Sequence, residues 1–260
     1  SSGPAHETHV AQVPASPAQP AAQGKTRIAI LNHSAMLADA ITPDLAAVLA
    51  TLDEGVKYIF GESDAARVCG SQDVVALKVN CISGLMYSHP IVVQAITQRL
   101  QEIGVPGENI IVWDRTSGEL SRAGYKIRRE GVGVRCYGTD GAYDEWIQHR
   151  SVSTRLSKIL SQIATVLINV PILKDHGGAG VTVAMKNHYG SISNPGAMHS
   201  SYCNPACAHI NDIPAIRDKT RLVVVDATRA LFRNGPGGSP DAVWLAQTLI
   251  ISQNPVATDT

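Results

Sequence analysis

Short apolar runs alternate with amphipathic segments from Thr26 onward, and this alternation constrains the fold more than any other feature of the sequence. The runs have the length of β-strands and cover residues 27–31, 73–80, 109–114, 165–170, 221–226 and 248–251. The segments between them include three predicted helices, one after Thr42 and Pro43, one that begins at Pro90 and one at residues 155–163. Strands that alternate with helices usually form a parallel sheet covered by helices. We therefore predict an α/β fold with a mostly parallel sheet, helices on both faces and consecutive βα units.

Charge and composition exclude several classes of protein. The 22 Lys and Arg residues balance 22 Asp and Glu residues, which argues against nucleic acid as a partner. Hydrophobic residues make up 44% of the chain, enough for a sizeable core. No apolar run approaches the roughly 20 residues of a membrane-spanning helix, so we predict no membrane span. The five cysteines are too few and too scattered for a disulfide framework.

The two ends of the chain differ from its middle. Residues 1–24 are rich in Ala, Pro, Gln and Ser, so we expect a disordered tail before a single α/β domain at residues 25–260. A start at Ser-Ser-Gly suits a mature exported protein or an expression scar, and we favour export. The last residues resemble a buried strand and the opening of a helix, which suggests truncation or processing.

Polar residues follow several of the predicted strands. They are Asn32, Asn80, Asp114, Asn169 and Asp226. In an open α/β sheet the ligand crevice lies at the carboxyl ends of the strands, where these residues would meet. Alternatively, each is a turn or cap residue, a role that Asn and Asp favour.

Residues 169–190 contain the highest density of candidate catalytic and ligand-binding residues. A strand leads into a Gly-rich loop with Lys174 and His176, and a short helix then carries Lys186, Asn187 and His188. The glycines allow close approach of a ligand, and the amides at the start of the helix could hold an anion. The spacing matches neither a Walker loop nor a dinucleotide fingerprint. The alternative is a tight turn with surface lysines.

A second cluster at residues 198–212 contains candidate metal ligands. His199, Cys203, Cys207 and His209 would suit zinc or part of an iron–sulfur site. The spacing differs from zinc fingers and ferredoxins. Two alternatives stay open, a disulfide between Cys203 and Cys207 and buried free thiols.

A third segment, residues 77–90, places a lysine inside an apolar strand. Lys78 would be costly to bury unless it met an anion or a carboxylate. Ser88 can cap the next helix, with His89 and Pro90 opening it. His89 would then face the same strand ends as Asn80, unless it serves only as a cap.

At these segments the chain resembles the family catalogued as domain of unknown function 362. The resemblance rests on residues 77–80, 88–90, 110–114, 123–125, 169–176, 180–187, 211–212, 225–226, 234–236 and 254–257. Many members carry a twin-arginine export signal, so the resemblance implies a periplasmic or extracellular protein. Other members are fused to ferredoxin-type domains, which implies an association with redox proteins. Members also continue beyond the last of these segments.

The family is in turn distantly similar to nickel-dependent lactate racemases. In that comparison His176 and Lys186 correspond to the reactive His and Lys, and His199 or His209 to a nickel-binding His. The residues after Lys186 differ from the racemase pattern, which leaves the nickel cofactor open.

These observations support three hypotheses. The first is an exported metal-dependent enzyme that acts on a small anionic substrate, with nickel or zinc at His199, Cys203, Cys207 and His209. Lys78 and Lys174 would bind the anion, His176 would move a proton and Lys186 would hold substrate or cofactor. Further ligand contacts would come from Asn80, His89, Asn187 and His188. The second hypothesis is an iron–sulfur or other electron-transfer component of a larger assembly. The third is a non-catalytic binding or structural subunit. A possible partner is another protein or a second chain produced by processing.

Overall fold

The computed structural model describes residues 26–39, 41–61 and 68–260 of the chain, so the predicted tail at residues 1–24 lies outside the described residues. The strands are Ile28–Asn32 (β1), Val75–Lys78 (β2), Ile110–Trp113 (β3), Arg135–Cys136 (β4), Tyr143–His149 (β5), Val152–Ser157 (β6), Val166–Asn169 (β7), Ile172–His176 (β8), Gly180–Thr182 (β9), Thr220–Leu231 (β10), Val243–Trp244 (β11) and Thr248–Ser252 (β12). The α-helices are Leu45–Phe60 (α1), Pro90–Glu102 (α2), Ser117–Arg122 (α3), Ala184–Asn187 (α4), Ala206–Asn211 (α5), Pro214–Arg217 (α6) and Pro255–Asp259 (α7).

A large sheet forms the centre of the domain, with its main strands in the order β1-β12-β10-β7-β2-β3-β4. The pairs from β10 to β4 are parallel, whereas β12 is antiparallel to both β10 and β1. The units β2-α2-β3-α3-β4 follow one another along the chain, as predicted. Strand β1 is the edge strand next to β12. The α/β class with a mostly parallel sheet is confirmed.

Strand β2 shows how the sheet separates two cores. Val75 and Leu77 face a core that is covered by α1 and α2. Ala76 faces the opposite core, to which α5 and α6 contribute. Because side chains alternate along a strand, Lys78 belongs to the same face as Ala76. Helices therefore cover both faces, and Lys78 lies at the end of a buried strand.

Local signals in the sequence fix the starts of the two long helices. The side chain of Asp44 caps α1 by accepting a hydrogen bond from the Ala47 amide at 2.8 Å. His89 caps α2 in the same way through the Ile91 amide at 3.2 Å, with Pro90 as the first helical residue. The predicted start of α2 at Pro90 is confirmed, although its cap is His89 rather than Ser88. Helix α1 begins at Leu45, two residues later than Thr42 and Pro43 indicated.

The helix predicted at residues 155–163 is wrong in its first part. Residues up to Ser157 belong to β6, which pairs antiparallel with β5, and only Ile159–Ile163 are helical, as a short π-helix. The reason is that Val152, Thr154 and Leu156 are buried at alternate positions, the period of a strand rather than a helix.

The Gly-rich segment is also organised differently from the prediction. Strands β8 and β9 form an antiparallel hairpin, and residues 177–179 are its turn. The short helix α4 begins only at Ala184, and the amides of Ala184 and Met185 donate to the Asp259 carboxylate at 2.8 and 2.9 Å. The helix start predicted to hold an anion is therefore occupied by an acidic side chain of the same chain.

None of the helices in the described ranges is long and apolar enough to cross a bilayer.

Candidate functional site

A cavity of about 250 Å³ opens beside the carboxyl ends of β2, β3 and β8. Its lining includes Lys174 and His176 from β8, Lys186 from α4, and His199 from the loop that follows. Three residues predicted as catalytic, Lys174, His176 and Lys186, therefore share one cavity. This is the crevice position expected for an open α/β sheet.

Lys78 and Asp114 form a buried ion pair in the lining of the cavity, with Nζ 2.6 Å from Oδ1. Lys78 also donates to the Val79 carbonyl at 2.7 Å and reaches Asn187 Oδ1 at 3.4 Å. The prediction that a buried Lys78 meets an anion or a carboxylate is confirmed, and the partner is the Asp114 carboxylate. Its three protons all have acceptors within the protein, so the structure gives Lys78 the role of joining strand ends rather than of binding a ligand.

Asn187 connects the strand ends to one another. Its Nδ2 donates to Asn169 Oδ1 at 2.7 Å and to the Lys78 carbonyl at 3.0 Å, and its Oδ1 accepts from Asn80 Nδ2 at 3.1 Å. Asn187 is 1% exposed. Three of the five predicted strand-end residues, Asn80, Asp114 and Asn169, therefore meet, and the sequence did not show that Asn187 connects them. The other two have different partners: Asn32 donates to the Ala246 carbonyl, and Asp226 accepts from the His89 amide.

Lys174 lies almost fully buried at the cavity wall, with 1% of its surface exposed. Its Nζ donates to Asn80 Oδ1 at 2.8 Å, the one hydrogen bond that this amine makes to the described residues. Burial lowers the pKa of Lys174 to about 8. An ammonium has three protons to donate, so this amine keeps donor capacity for a ligand.

Lys186 faces the same cavity from α4 and is 7% exposed. Its Nζ lies 3.0 Å from His199 Nε2 and 3.3 Å from the centre of the Tyr189 ring. Burial lowers the pKa of Lys186 to about 8 as well. The Lys186 amine thus contacts an aromatic ring and an imidazole, and neither group is an anion that could neutralise its charge.

Charge around the cavity does not balance. Lys78 pairs with Asp114, and Arg115 pairs with Glu119. Within the described ranges, Lys174 and Lys186 form no salt bridge with any carboxylate. The cavity therefore has an excess of two positive charges when both lysines are protonated. The Arg115–Glu119 ion pair was not predicted from the sequence, although Arg115 directly follows the strand-end residue Asp114.

His176 is held by its own turn. Its Nδ1 accepts hydrogen bonds from the Gly178 amide at 3.1 Å and the Ala179 amide at 3.0 Å. Its ring stacks on His199 at a centroid distance of 5.6 Å. Burial, followed by the neighbouring Lys186 and His199, lowers the pKa of His176 below its usual value.

Two other predicted ligand residues lie away from this cavity. His89 is the N-cap of α2, so its capping alternative is confirmed. His188 is fully buried, with Nδ1 3.0 Å from Ser191 Oγ, and burial lowers its pKa to about 3. It lines a separate cavity of about 760 Å³, in which Arg217 is neutralised by Asp212 and Asp218.

The four predicted metal ligands are not assembled into one site. His209 is hydrogen-bonded to Ser151 Oγ at 2.7 Å, whereas His199 contacts Lys186 and the Pro195 carbonyl. Cys203 and Cys207 are free thiols, so the structure contains no disulfide between them. In the part of the chain that is described, no three His, Cys, Asp or Glu side chains form a group that could hold a metal ion. Nickel, zinc and iron–sulfur binding stay predictions.

Comparison with protein families gives a clear result. The model of the family described as domain of unknown function (DUF362) matches residues 75–260. The chain belongs to the DUF362 family. The matched DUF362 region contains every residue placed at the cavity above, from Lys78 to His199.

A solved structure is similar to this DUF362 chain. It is a crystal structure of a Thermotoga maritima protein from the Northeast Structural Genomics Consortium, with a TM-score of 0.51 and 12% sequence identity. The similarity covers 88% of this chain and 58% of the Thermotoga chain, and it supports the α/β fold alone. No curated protein matches the chain significantly. The predicted similarity to lactate racemases and the predicted export stay predictions for this DUF362 chain.

Proposed function

We propose that the cavity binds a small organic anion and that the chain is an enzyme that acts on this anion by Lys/His chemistry. The observation that carries the proposal is a pair of buried lysines, Lys174 and Lys186, that share a cavity and have no carboxylate partner among residues 26–39, 41–61 and 68–260. A structural subunit would not need these groups to converge.

The energetics of burial favour a bound anion. Removing an ammonium from water is costly unless an opposite charge or several hydrogen bonds compensate. Lys78 shows the compensated arrangement in this protein, because Asp114 and two other oxygen acceptors surround it. Lys174 and Lys186 are also buried, but each has only neutral partners and no carboxylate in the described part of the chain. An anion in the cavity would supply the missing charge to both amines.

The size of the cavity limits the ligand. Cavities that enclose drug-sized ligands usually measure about 300–1,000 Å³. A cavity of about 250 Å³ suits a smaller ligand, such as a small carboxylate or a phosphate.

The acid–base properties support an enzyme rather than a passive binder. A catalytic group works best when its pKa lies near the working pH. Burial brings the pKa values of Lys174 and Lys186 from 10.5 to about 8. Each amine could therefore give up and regain a proton near neutral pH. Perturbed groups that share a cavity are a recognised sign of a functional site.

Three elements of the sequence hypotheses remain proposals. A metal-dependent reaction and an iron–sulfur role can be checked by elemental analysis and an absorbance spectrum of the purified protein. Location in the periplasm follows from the resemblance to exported proteins and can be checked by cell fractionation.

Calorimetric titration with phosphate, acetate, pyruvate and succinate tests the proposed function. Lys174→Met and Lys186→Met should each weaken the binding of the best anion at least tenfold, since each removes one cation from the cavity. Lys126→Met is the matched control, because Lys126 is exposed and does not line the cavity. Equal affinities in the wild type, Lys174→Met and Lys186→Met, or no binding of any of these anions, would contradict the proposal.

A further inference from the structure

His176 lines the proposed anion cavity, and the hydrogen bonds of its ring determine what it can do there. Both the Gly178 and Ala179 amides donate to Nδ1. An amide N–H can only donate, so Nδ1 must present its lone pair. A neutral imidazole with an unprotonated Nδ1 carries its proton on Nε2.

The turn therefore selects one tautomer. If Nδ1 carried the proton, three N–H groups would point at one another and both amide bonds would be lost. Two partly buried amides left without acceptors would lower the stability of the turn. Nε2 has no hydrogen-bond partner among residues 26–39, 41–61 and 68–260, and it is not among the buried polar atoms of these residues that lack a partner. It is therefore available to a molecule in the cavity.

We propose that His176 is fixed as the Nε2–H tautomer and acts as an uncharged hydrogen-bond donor to a carbonyl oxygen of the bound anion, which makes the ligand a small oxo acid. The proposal rests on the proposed function. It changes the role that the sequence suggested for His176, because an Nε2 that already carries a proton has no lone pair with which to act as a base.

The arrangement of donors indicates the class of ligand. Lys174 and Lys186 supply the charge that an anionic group requires, and His176 adds a third, uncharged donor on the same cavity. An uncharged donor aimed at a carbonyl oxygen polarises it and stabilises negative charge that develops there. A carboxylate offers two oxygens to these three donors, whereas an oxo acid adds a third oxygen, so that each donor has an oxygen of its own.

The first experiment examines the tautomer directly. Long-range proton–nitrogen correlation spectra of the uniformly nitrogen-15-labelled full chain at pH 7, assigned with His176→Asn, report the protonation of each ring nitrogen. We expect an unprotonated Nδ1 and a protonated Nε2 for His176. A protonated Nδ1, alone or in an imidazolium, would overturn the proposal even if anions bind to the lysines.

The second experiment examines the ligand by comparing pyruvate with propionate, which lacks the oxo group. The wild type should bind pyruvate about three to ten times more tightly, the effect of one net hydrogen bond. His176→Asn should lose this preference, because its side-chain oxygen can replace Nδ1 for the turn amides but it has no donor at the position of Nε2. His176→Gln, which can place a donor there, should regain part of it.

The outcomes separate the two proposals. Equal binding of pyruvate and propionate by the wild type, with both dependent on Lys174 and Lys186, would overturn the oxo-acid inference and leave anion binding intact. If neither acid nor phosphate binds, the proposed function fails, and the spectra still decide the tautomer.

Discussion

His176 and His199 stack with their ring centres 5.6 Å apart, yet their hydrogen bonds give them opposite tautomers. His176 accepts two amide protons at Nδ1, whereas His199 Nδ1 lies 2.8 Å from the Pro195 carbonyl and must donate to it. His199 Nε2 then has a lone pair and accepts a hydrogen bond from Lys186 Nζ at 3.0 Å. The stacked pair thus presents a donor to the cavity from one ring and an acceptor to Lys186 from the other.

The first prediction concerns the cost of burying Lys186. Its lowered pKa means that the folded state binds the proton less tightly than the unfolded state. Burying the charged Lys186 amine therefore lowers the free energy of unfolding. This loss has its full size below about pH 8, decreases as the pH rises toward 10.5, and is absent above that value. Lys186→Met should therefore raise the free energy of unfolding at pH 7 by about 1–3 kcal/mol in the absence of ligand.

Urea unfolding of the wild type and Lys186→Met at pH 7 and at pH 10 measures this effect. The advantage of the variant should shrink at the higher pH, and Lys126→Met should show no comparable change at either pH. A variant that is less stable than the wild type at pH 7 would show that Lys186 is not under electrostatic strain.

The second prediction is the pH dependence of anion binding. The pKa values of Lys174 and Lys186 are both about 8, so both amines are charged at pH 6.5 and largely neutral at pH 9.5. Affinity for the anion should therefore fall as the pH rises through 8. Dissociation constants measured by calorimetry across this range check the effect, and a constant affinity would argue against lysine recognition.

The third prediction compares two ion pairs of different burial. Asp114→Asn leaves Lys78 buried without its carboxylate and weakens the acceptor of the Cys81 amide, so we expect a loss of about 3–5 kcal/mol in unfolding free energy. Asp53→Asn removes the exposed partner of Arg99 and should cost less than about 1 kcal/mol. Chemical unfolding of both variants measures the difference, and equal losses would mean that the buried pair contributes no more than the exposed one.

The fourth prediction concerns a glycine that packs against the same pair. A Cβ at position 190 would lie 2.8 Å from both Asp114 Oδ1 and Lys78 Nζ, whereas a Cβ at Gly196 would meet nothing within 4 Å. Gly190→Ala should therefore lower the free energy of unfolding by about 1–3 kcal/mol. Gly196→Ala, at another position on the cavity lining, should leave it nearly unchanged. Thermal unfolding of the two variants checks the contrast, and equal stability would contradict the close approach at Gly190.

The sequence by itself determined the features that depend on neighbouring residues. The apolar runs predicted the strands, and Pro90 marked the start of α2. The sequence also indicated that Lys78 meets an anion or a carboxylate, because an unpaired charge is costly to bury. These conclusions follow from local periodicity, capping and the cost of burying charge.

Only the tertiary structure decided which distant groups meet. The parallel pairing that sets Lys78 opposite Trp113 brings Asp114 to the ammonium, across 36 positions of sequence. The predicted ligand loop is the turn of the β8–β9 hairpin, and two amides of this turn donate to His176 Nδ1 and fix its ring. His188 follows Asn187 directly, yet it lines the other cavity, because successive side chains on a helical turn point in different directions. Strand register and side-chain direction arise from long-range packing, which no local pattern encodes.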